Sequence, residues 1–443
     1  MLLSCKEEKS ENIFDLHIGN VTTIDEYGQL TKNNNVFIRK DTIGHIVSTQ
    51  NSAYPDANRF IEGSGKFLML GFWDNHVHFR GGDALIAQNE KFLKEYIKYG
   101  ITTVRDAGGD LTTQIQQWNS EIQKGTRLGP TIYTSGPKLD GPKARWAGSL
   151  PIVRTVDISK ALDSLQQLEV DYVKLYESTL SGAHYLNIIK QAQNRDMITS
   201  GHMPFTVSLE ETVDAGIDNI EHLYYILKGC SSEETTITAK VKSGELSFWS
   251  SMEALITTYD EATAQKTFEH LKAQNVSVTP TLHIGDVLSY MDEVNHDLDP
   301  YLKQLEPGFI KTYEGRVHGA LSASAKAKEN RKALQQLFIQ LTADLQQAGV
   351  SLLAGSDGGA YNSYVYPGTS LHDELKQMVA AGLTPAEALQ TSTFNGSHFL
   401  KKEGYTMAVG GKADLVLLNK NPLEAIENTQ SIALVIKNGT VIE

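Results

Sequence analysis

Three features of the sequence predict an α/β chain: a (β/α)8 TIM barrel with a small β domain built from both chain ends. Residues 70–401 alternate strand-like runs with longer helical stretches, the signature of a parallel sheet with crossover helices. About eight such strands over about 330 residues fit a barrel with insertions. Strand-and-turn chemistry fills residues 13–69 and 402–443, and one composite β domain is its simplest account. Residues 1–12 read as a solvated tether.

Each element follows from local pattern. At the N-terminal end, Phe14-Asp15-Leu16-His17-Ile18, Val36 to Arg39 and Ile43 to Val47 alternate apolar and polar residues. Gly19-Asn20, Tyr27-Gly28 and Asn33 to Asn35 punctuate them as turns. In the middle, the candidate strands are Phe72 to His78, Thr102 to Asp106, Thr131 to Ser135, Tyr172 to Tyr176, Ile198 to His202, Asn219 to Leu223, Ser277 to Thr281 and Ser351 to Asp357. Helical stretches separate most of them, for example Ser159 to Leu168 and Tyr185 to Arg195. The connections 224–276 and 283–350 are long and helical in texture, and are expected above the barrel mouth as lids. At the C-terminal end, Ala413 to Leu418, Ile432 to Ile436 and Thr440 to Ile442 are strands, the last two joined by the hairpin dipeptide Asn438-Gly439.

Composition narrows the function classes. The chain has 443 residues, is 40% hydrophobic and carries a net charge of −13. An acidic chain without basic runs argues against nucleic acid as a partner. No apolar run is long enough to span a bilayer. Two cysteines, Cys5 and Cys230, leave no room for a disulfide framework or a cysteine-ligated metal. Leu2-Leu3-Ser4-Cys5 followed by charged residues is similar to a bacterial lipobox, although the basic and apolar regions of a signal peptide are not in this sequence. The expectation is a lipid anchor at Cys5, with the signal trimmed, and a place in the bacterial cell envelope; a cytoplasmic protein is the alternative. Oligomeric state is left open, a homo-oligomer included.

The chemistry sits at predicted strand ends. Asp74, His76 and His78 alternate onto one face of the first barrel strand, and two imidazoles at i and i+2 can chelate one metal. In the fourth strand Lys174 points inward with Tyr172 and Tyr176. A buried lysine needs a carboxylate partner, or is neutral and able to add carbon dioxide as a metal-bridging carbamate. His202 ends the fifth strand and His222 the sixth. Asp357, among glycines, ends the eighth. Each residue alone is more readily structural. An ordered series of four histidines, a lysine and an aspartate on one rim points to a metal centre. Arg105, Tyr176, Tyr224, Tyr225 and His283 are expected near the same rim as substrate-binding residues, with an ion pair to an acid as the competing role of Arg105.

The ordered set resembles the amidohydrolase superfamily: its binuclear branch with a carboxylated lysine, in the prolidase-like group related to imidazolonepropionase and Xaa-Pro dipeptidase. Gly71 to His78, Gly100 to Gly109, Asp171 to Tyr176, Gly201 to Pro204, Ile220 to Leu223 and Gly410 to Val416 carry the resemblance, over about residues 14–443. Leu70 and Met407-Ala408-Val409 depart from the family pattern but touch no ligand position. The resemblance implies a β-sandwich for the composite domain. It implies two divalent metals, zinc by default, one held by His76, His78 and Asp357, the other by His202 and His222, with carboxylated Lys174 between them. It further implies a hydroxide shared by the metals and Asp357 as the proton carrier. The expected reaction is cleavage of an amide or peptide bond in a small substrate of dipeptide or N-acyl amino acid type. A lactonase, an organophosphate or carbamate hydrolase, a deaminase, or a non-catalytic scaffold are the alternatives.

Overall fold

A computed structural model describes residues 13–51 and 54–442. Cys5 and its lipobox-like surroundings lie outside these residues. Among those described, no helix is long and apolar enough to cross a membrane. The chain divides into two compact units: one holds the residues up to Gly71 and those from Glu403 onward, the other Phe72–Lys402.

The first unit starts with β1 (Phe14–Ile24), β2 (Leu30–Arg39), β3 (Thr42–Ser48), β4 (Ala57–Glu62) and β5 (Phe67–Leu70). β1 and β2 are antiparallel, with Leu16 opposite Ile38 and Ile18 opposite Val36. That register puts four apolar side chains on one buried face. β4 and β5 were not expected. Residues 57–62 are half polar and mostly exposed, while Phe67–Leu70 runs almost without a break into the next strand.

The second unit continues with β6 (Phe72–His78), β7 (Ile101–Asp106), β8 (Thr131–Thr134), β9 (Leu139–Asp140), β10 (Leu150–Pro151), β11 (Val173–Leu175), β12 (Thr199–Gly201), β13 (Asn219–Glu221), β14 (Ser277–Thr279) and β15 (Gly358–Gly359). They form two parallel sheets, in the orders β15-β6-β7-β8 and β10-β9-β11-β12-β13-β14. Most of these strands are buried along their length, their polar and charged residues included, as in a sheet covered on both faces. The expected eighth strand is different. Residues 351–357 make one isolated bridge, Leu352 to Val278, and the regular pairing with β6 starts only at Gly358.

Helices Thr155–Gln167 and Gly182–Gln193 begin three or four residues before the expected ones. Polar side chains set both starts. Asp157 accepts the Arg154 amide, and the Ser181 hydroxyl accepts the His184 amide. The two long connections are helical, the longest segment being Ala325–Ala348, capped by Ser324 and stopped by Gly349 at φ 79°.

The chain ends with β16 (Leu415–Leu418), β17 (Ile432–Lys437) and β18 (Thr440–Ile442), which return to the first unit. Its eight strands form one sheet in the order β18-β17-β16-β5-β1-β2-β3, with β4 beside β1. Asn438 and Gly439 both have positive φ, as the tight hairpin between β17 and β18 demands.

Candidate metal centre

Backbone hydrogen bonds to neighbouring strands fix the site residues. The amide of Asp357 donates to His76 O (2.7 Å), that of His222 to Thr279 O (2.8 Å) and that of His202 to Leu175 O (3.1 Å). His222 and Asp357 hold φ at 67° and 58°, and Thr281 at 52°. Left-handed backbone is costly for residues with a Cβ and concentrates where a side chain must be aimed. Gly355 makes room: a Cβ there would lie 2.5 Å from the Cβ of His76.

His76, His78 and Asp357 converge. Asp357 Oδ1 lies 3.1 Å from His78 Nε2 and 3.5 Å from His76 Nε2. Two ligand atoms about 2.1 Å from one cation at a tetrahedral angle lie about 3.4 Å apart, so this spacing suits a shared ion. The His78, His76, His222 and His202 rings follow one another, with centroids 5.1, 5.1 and 4.8 Å apart.

The other ring nitrogens of three histidines lie close to oxygens, His202 Nδ1 without hydrogen-bond geometry. His78 Nδ1 lies 3.0 Å from Gly108 O, His202 Nδ1 2.8 Å from Glu177 Oε2, and His222 Nδ1 2.7 Å from Thr281 Oγ1. A carbonyl oxygen only accepts, so His78 carries its proton on Nδ1 and offers Nε2 as a ligand. Burial first, and nearby positive charge second, lowers His78, His202 and His222 well below the usual imidazole range. Neutral imidazole is the form that binds a metal. Burial pushes the Asp357 carboxyl up, but His76 and His78 outweigh it and hold the group well below the carboxylate range. Both His76 ring nitrogens are buried without a hydrogen-bond partner. Such orphaned polar atoms are rare in native interiors, and with this donor set they fit a divalent metal.

Lys174 is fully buried on β11, and its Nζ lies against Glu221 Oε2. Burial, then Lys138 and Arg105, depresses its amine far below the usual lysine value. Glu221 is a residue that the sequence reading passed over. Its Oε1 accepts the Ser200 hydroxyl (2.7 Å) and lies 3.5 Å from His76 Nδ1. His76, Glu221 and His222 make a second group with metal-ligand spacing, where His202, His222 and Lys174 were expected. Strand alternation was the available signal: on β13, Asn219 and Glu221 share the inward face. Glu177, also passed over, is the carboxylate behind His202. It accepts the Tyr225 hydroxyl (2.8 Å), and burial raises it to about 7.

The expected substrate residues separate. Tyr176 stays beside the cluster, its ring 4.4 Å from that of His202. Tyr225 is buried and spends its hydroxyl on Glu177. Tyr224 packs among Phe248, Trp249 and Phe338. Arg105 requires a correction. It is sealed in the interior and donates to Asn75 O, Ser200 Oγ and Thr279 Oγ1, with its guanidinium between the Tyr172 and Phe399 rings. It lies 3.5 Å from Glu221, so the ion-pair role prevails because its strand position points into the core. His283 also moves. Its strand stops at Thr279, and His283 lies in the first turn of helix Leu282–Ser289, where Glu374 caps its amide at 2.7 Å.

Comparison with known proteins agrees with this arrangement. Bottromycin amidohydrolase superposes with a TM-score of 0.73 at 17% identity, over 96% of this chain and 86% of that one. A Xaa-Pro dipeptidase with methionine bound in its active site gives 0.70 at 16%, over 97% and 99%. Ochratoxinase of A. niger gives 0.69 at 18%, over 98% and 96%. At such identities the likeness concerns the fold. No curated protein sequence matches the chain. The model of the Amidohydrolase family matches residues 67–442, most of the sequence, and on that extent the chain belongs to the amidohydrolase family.

Proposed function

We propose that this protein is a metal-dependent hydrolase that cleaves an amide or peptide bond of a small substrate, such as a dipeptide or an N-acyl amino acid. The observation that carries the reading is the meeting of His76, His78 and Asp357 at ligand spacing, beside two further histidines whose Nδ1 atoms lie 2.8 Å from Glu177 and 2.7 Å from Thr281. His76, His78 and Asp357 would hold one divalent metal, zinc by default. His202 and His222 would hold a second, with Glu221 near it and a carboxylated Lys174 between the two. Bound there, the metals would supply Lewis acidity toward a water and a carbonyl oxygen.

The chain's own groups supply the rest. Asp357, held anionic, takes a proton from the attacking water and returns it to the departing nitrogen as the C–N bond breaks. Glu177 and Thr281 keep the His202 and His222 rings in place. In its neutral form the Lys174 amine would add carbon dioxide, losing one proton as the N–C bond forms. We further read the two parallel sheets as one closed barrel. Backbone bonds from Asp171 N to Thr134 O, Val278 N to Ser351 O and Asn75 N to Ala354 O support this by linking the sheets through the irregular segments. The end sheet reads as a sandwich, because β1, β2, β3, β5, β16 and β17 all contribute to its one buried cluster.

The test is elemental analysis together with turnover on a panel of dipeptides and N-acyl amino acids. About two divalent metals per chain, and amide cleavage lost in Asp357→Asn, are expected. Metal-free protein after growth with zinc and bicarbonate, or undiminished turnover in that variant, overturns the reading.

A further inference from the structure

Next to the histidine cluster, within Phe72–Lys402, lies a cavity of about 580 Å³ lined by Arg80, Lys138, Arg145, Arg316, Trp146 and Tyr361 among others. Its size is that of a small-molecule site. The acid in this lining is Asp110, whose Oδ1 already accepts the Gly81 amide at 2.9 Å. Four cations thus face one carboxylate in the lining, with Asp357 and Asp106 as further acids that act on Arg80 and Lys138. Arg80 spends its donors on uncharged oxygens, Ala360 O at 2.8 Å and Asn362 Oδ1 at 3.1 Å. Lys138 donates to Gly108 O at 2.8 Å. Among the described residues, Arg145 and Arg316 make no ion pair. Three of the cations surround one indole: Arg80, Lys138 and Arg145 lie 4.2, 5.5 and 5.5 Å from the Trp146 ring centre.

Like charges gathered in a partly closed cleft repel one another unless an anion joins them. Burial first, then the neighbouring Arg80, lowers Lys138 to about 7. Asp357 and Asp106 offset part of this charge from behind, and at the lining itself two carboxylates would offset more of the remainder than one. The planar guanidiniums suit carboxylates in particular, through paired hydrogen bonds.

The cavity adjoins the proposed reaction centre through three links. Gly108 O receives both Lys138 Nζ and His78 Nδ1. Asn362 bridges Arg80 and Asp357, its Nδ2 2.7 Å from Asp357 Oδ1. The Trp146 ring lies 6.3 Å from that of Tyr176, which stacks near His202. Arg80 and Lys138 are buried at the floor, while Arg316 is half-buried and Arg145 exposed.

We propose that this cavity is the substrate subsite and selects an amide that carries two carboxylates, with Arg80 and Lys138 gripping it at the floor and Arg145 and Arg316 at the mouth. The assignment of the cavity to the substrate rests on the hydrolase reading above.

The test has a binding arm and a turnover arm. Calorimetric titration of the metal-loaded protein compares glutarate with butyrate, a monocarboxylate that reports any carboxylate–metal contact. Glutarate is expected to bind at least about tenfold more tightly, and Arg316→Gln or Arg145→Gln to remove most of that margin at unchanged metal content. In turnover, kcat/KM for N-acetylglutamate should exceed that for N-acetylglutamine at least about tenfold, and the gap should shrink in the same variants. Equal affinities for the two acids, or a margin untouched in both variants, overturns the proposal. Hydrolysis of uncharged amides with no preference for glutarate would leave the hydrolase reading standing and remove the subsite. Selective glutarate binding without turnover of any amide would do the reverse.

Discussion

Lys174 and Arg105 are both buried cations on inward strand faces, and their environments give them different fates. The Lys174 amine is strongly depressed by burial and neighbouring charge and sits among the presumptive ligands. Its replacement by alanine should lower kcat/KM by about a hundredfold or more. Acetate or propionate should restore part of the loss, because a small carboxylate can occupy the place of the proposed carbamate. Full activity in Lys174→Ala would take the residue out of the reaction. Arg105 instead spends its guanidinium on Asn75, Ser200 and Thr279 and lies beside Glu221. Removing one partner of such a buried network leaves the others unpaired, so Arg105→Ala should cost about 3–5 kcal/mol in urea unfolding. A variant of unchanged stability with a raised KM would return Arg105 to the substrate. The sequence showed the charge at position 105 and its proximity to the site, but not the depth of the side chain below the rim.

At the scale of elements, the strands that the sequence made legible are those with strong local pattern. β6 and β7 are buried along their whole length, and β11 to β14, only three residues each, lie inside their expected runs. The eighth strand departs from expectation: regular pairing begins only at Gly358, past the expected run, and within that run Gly355 lacks a side chain and its β propensity. What holds that segment is close approach to β6. A Cβ on Gly359 would lie 2.4 Å from His78 O, at φ +147°. Gly359→Ala should therefore push β15 off β6, and with it the Asp357 carboxylate from His76 and His78. The expected result is loss of bound metal by elemental analysis with the far-ultraviolet circular dichroism spectrum retained. A variant that keeps its full metal content would show that the close approach does not set the site. His283 is the complementary lesson: its strand ends at Thr279, and the helix that follows is capped by Glu374, a partner too far along the chain to be visible from the residues around position 283.

For the whole molecule, the candidate site is stitched from five separate strand ends of one unit, so metal binding and the stability of that unit should be linked. A ligand at a hundredfold above its Kd adds about 2.7 kcal/mol to the folded state. Chelation should then lower Tm by about 5 °C, and returning zinc should restore it. A Tm indifferent to chelator and zinc would count against a resident metal. By itself the sequence determined the alternation of strands and helices, the return of the C-terminal end to the N-terminal β unit, and the identity of His76, His78, His202, His222, Lys174 and Asp357 as site candidates. These are carried by local periodicity and by residue type at strand ends, which are properties of short windows. The tertiary structure decided that Glu221 and Glu177 join the cluster, that Arg105 is sealed in the interior, and that Arg80, Lys138, Arg145 and Arg316 share a cavity. Those outcomes depend on distances between residues up to a few hundred positions apart, which packing sets and no window of sequence contains.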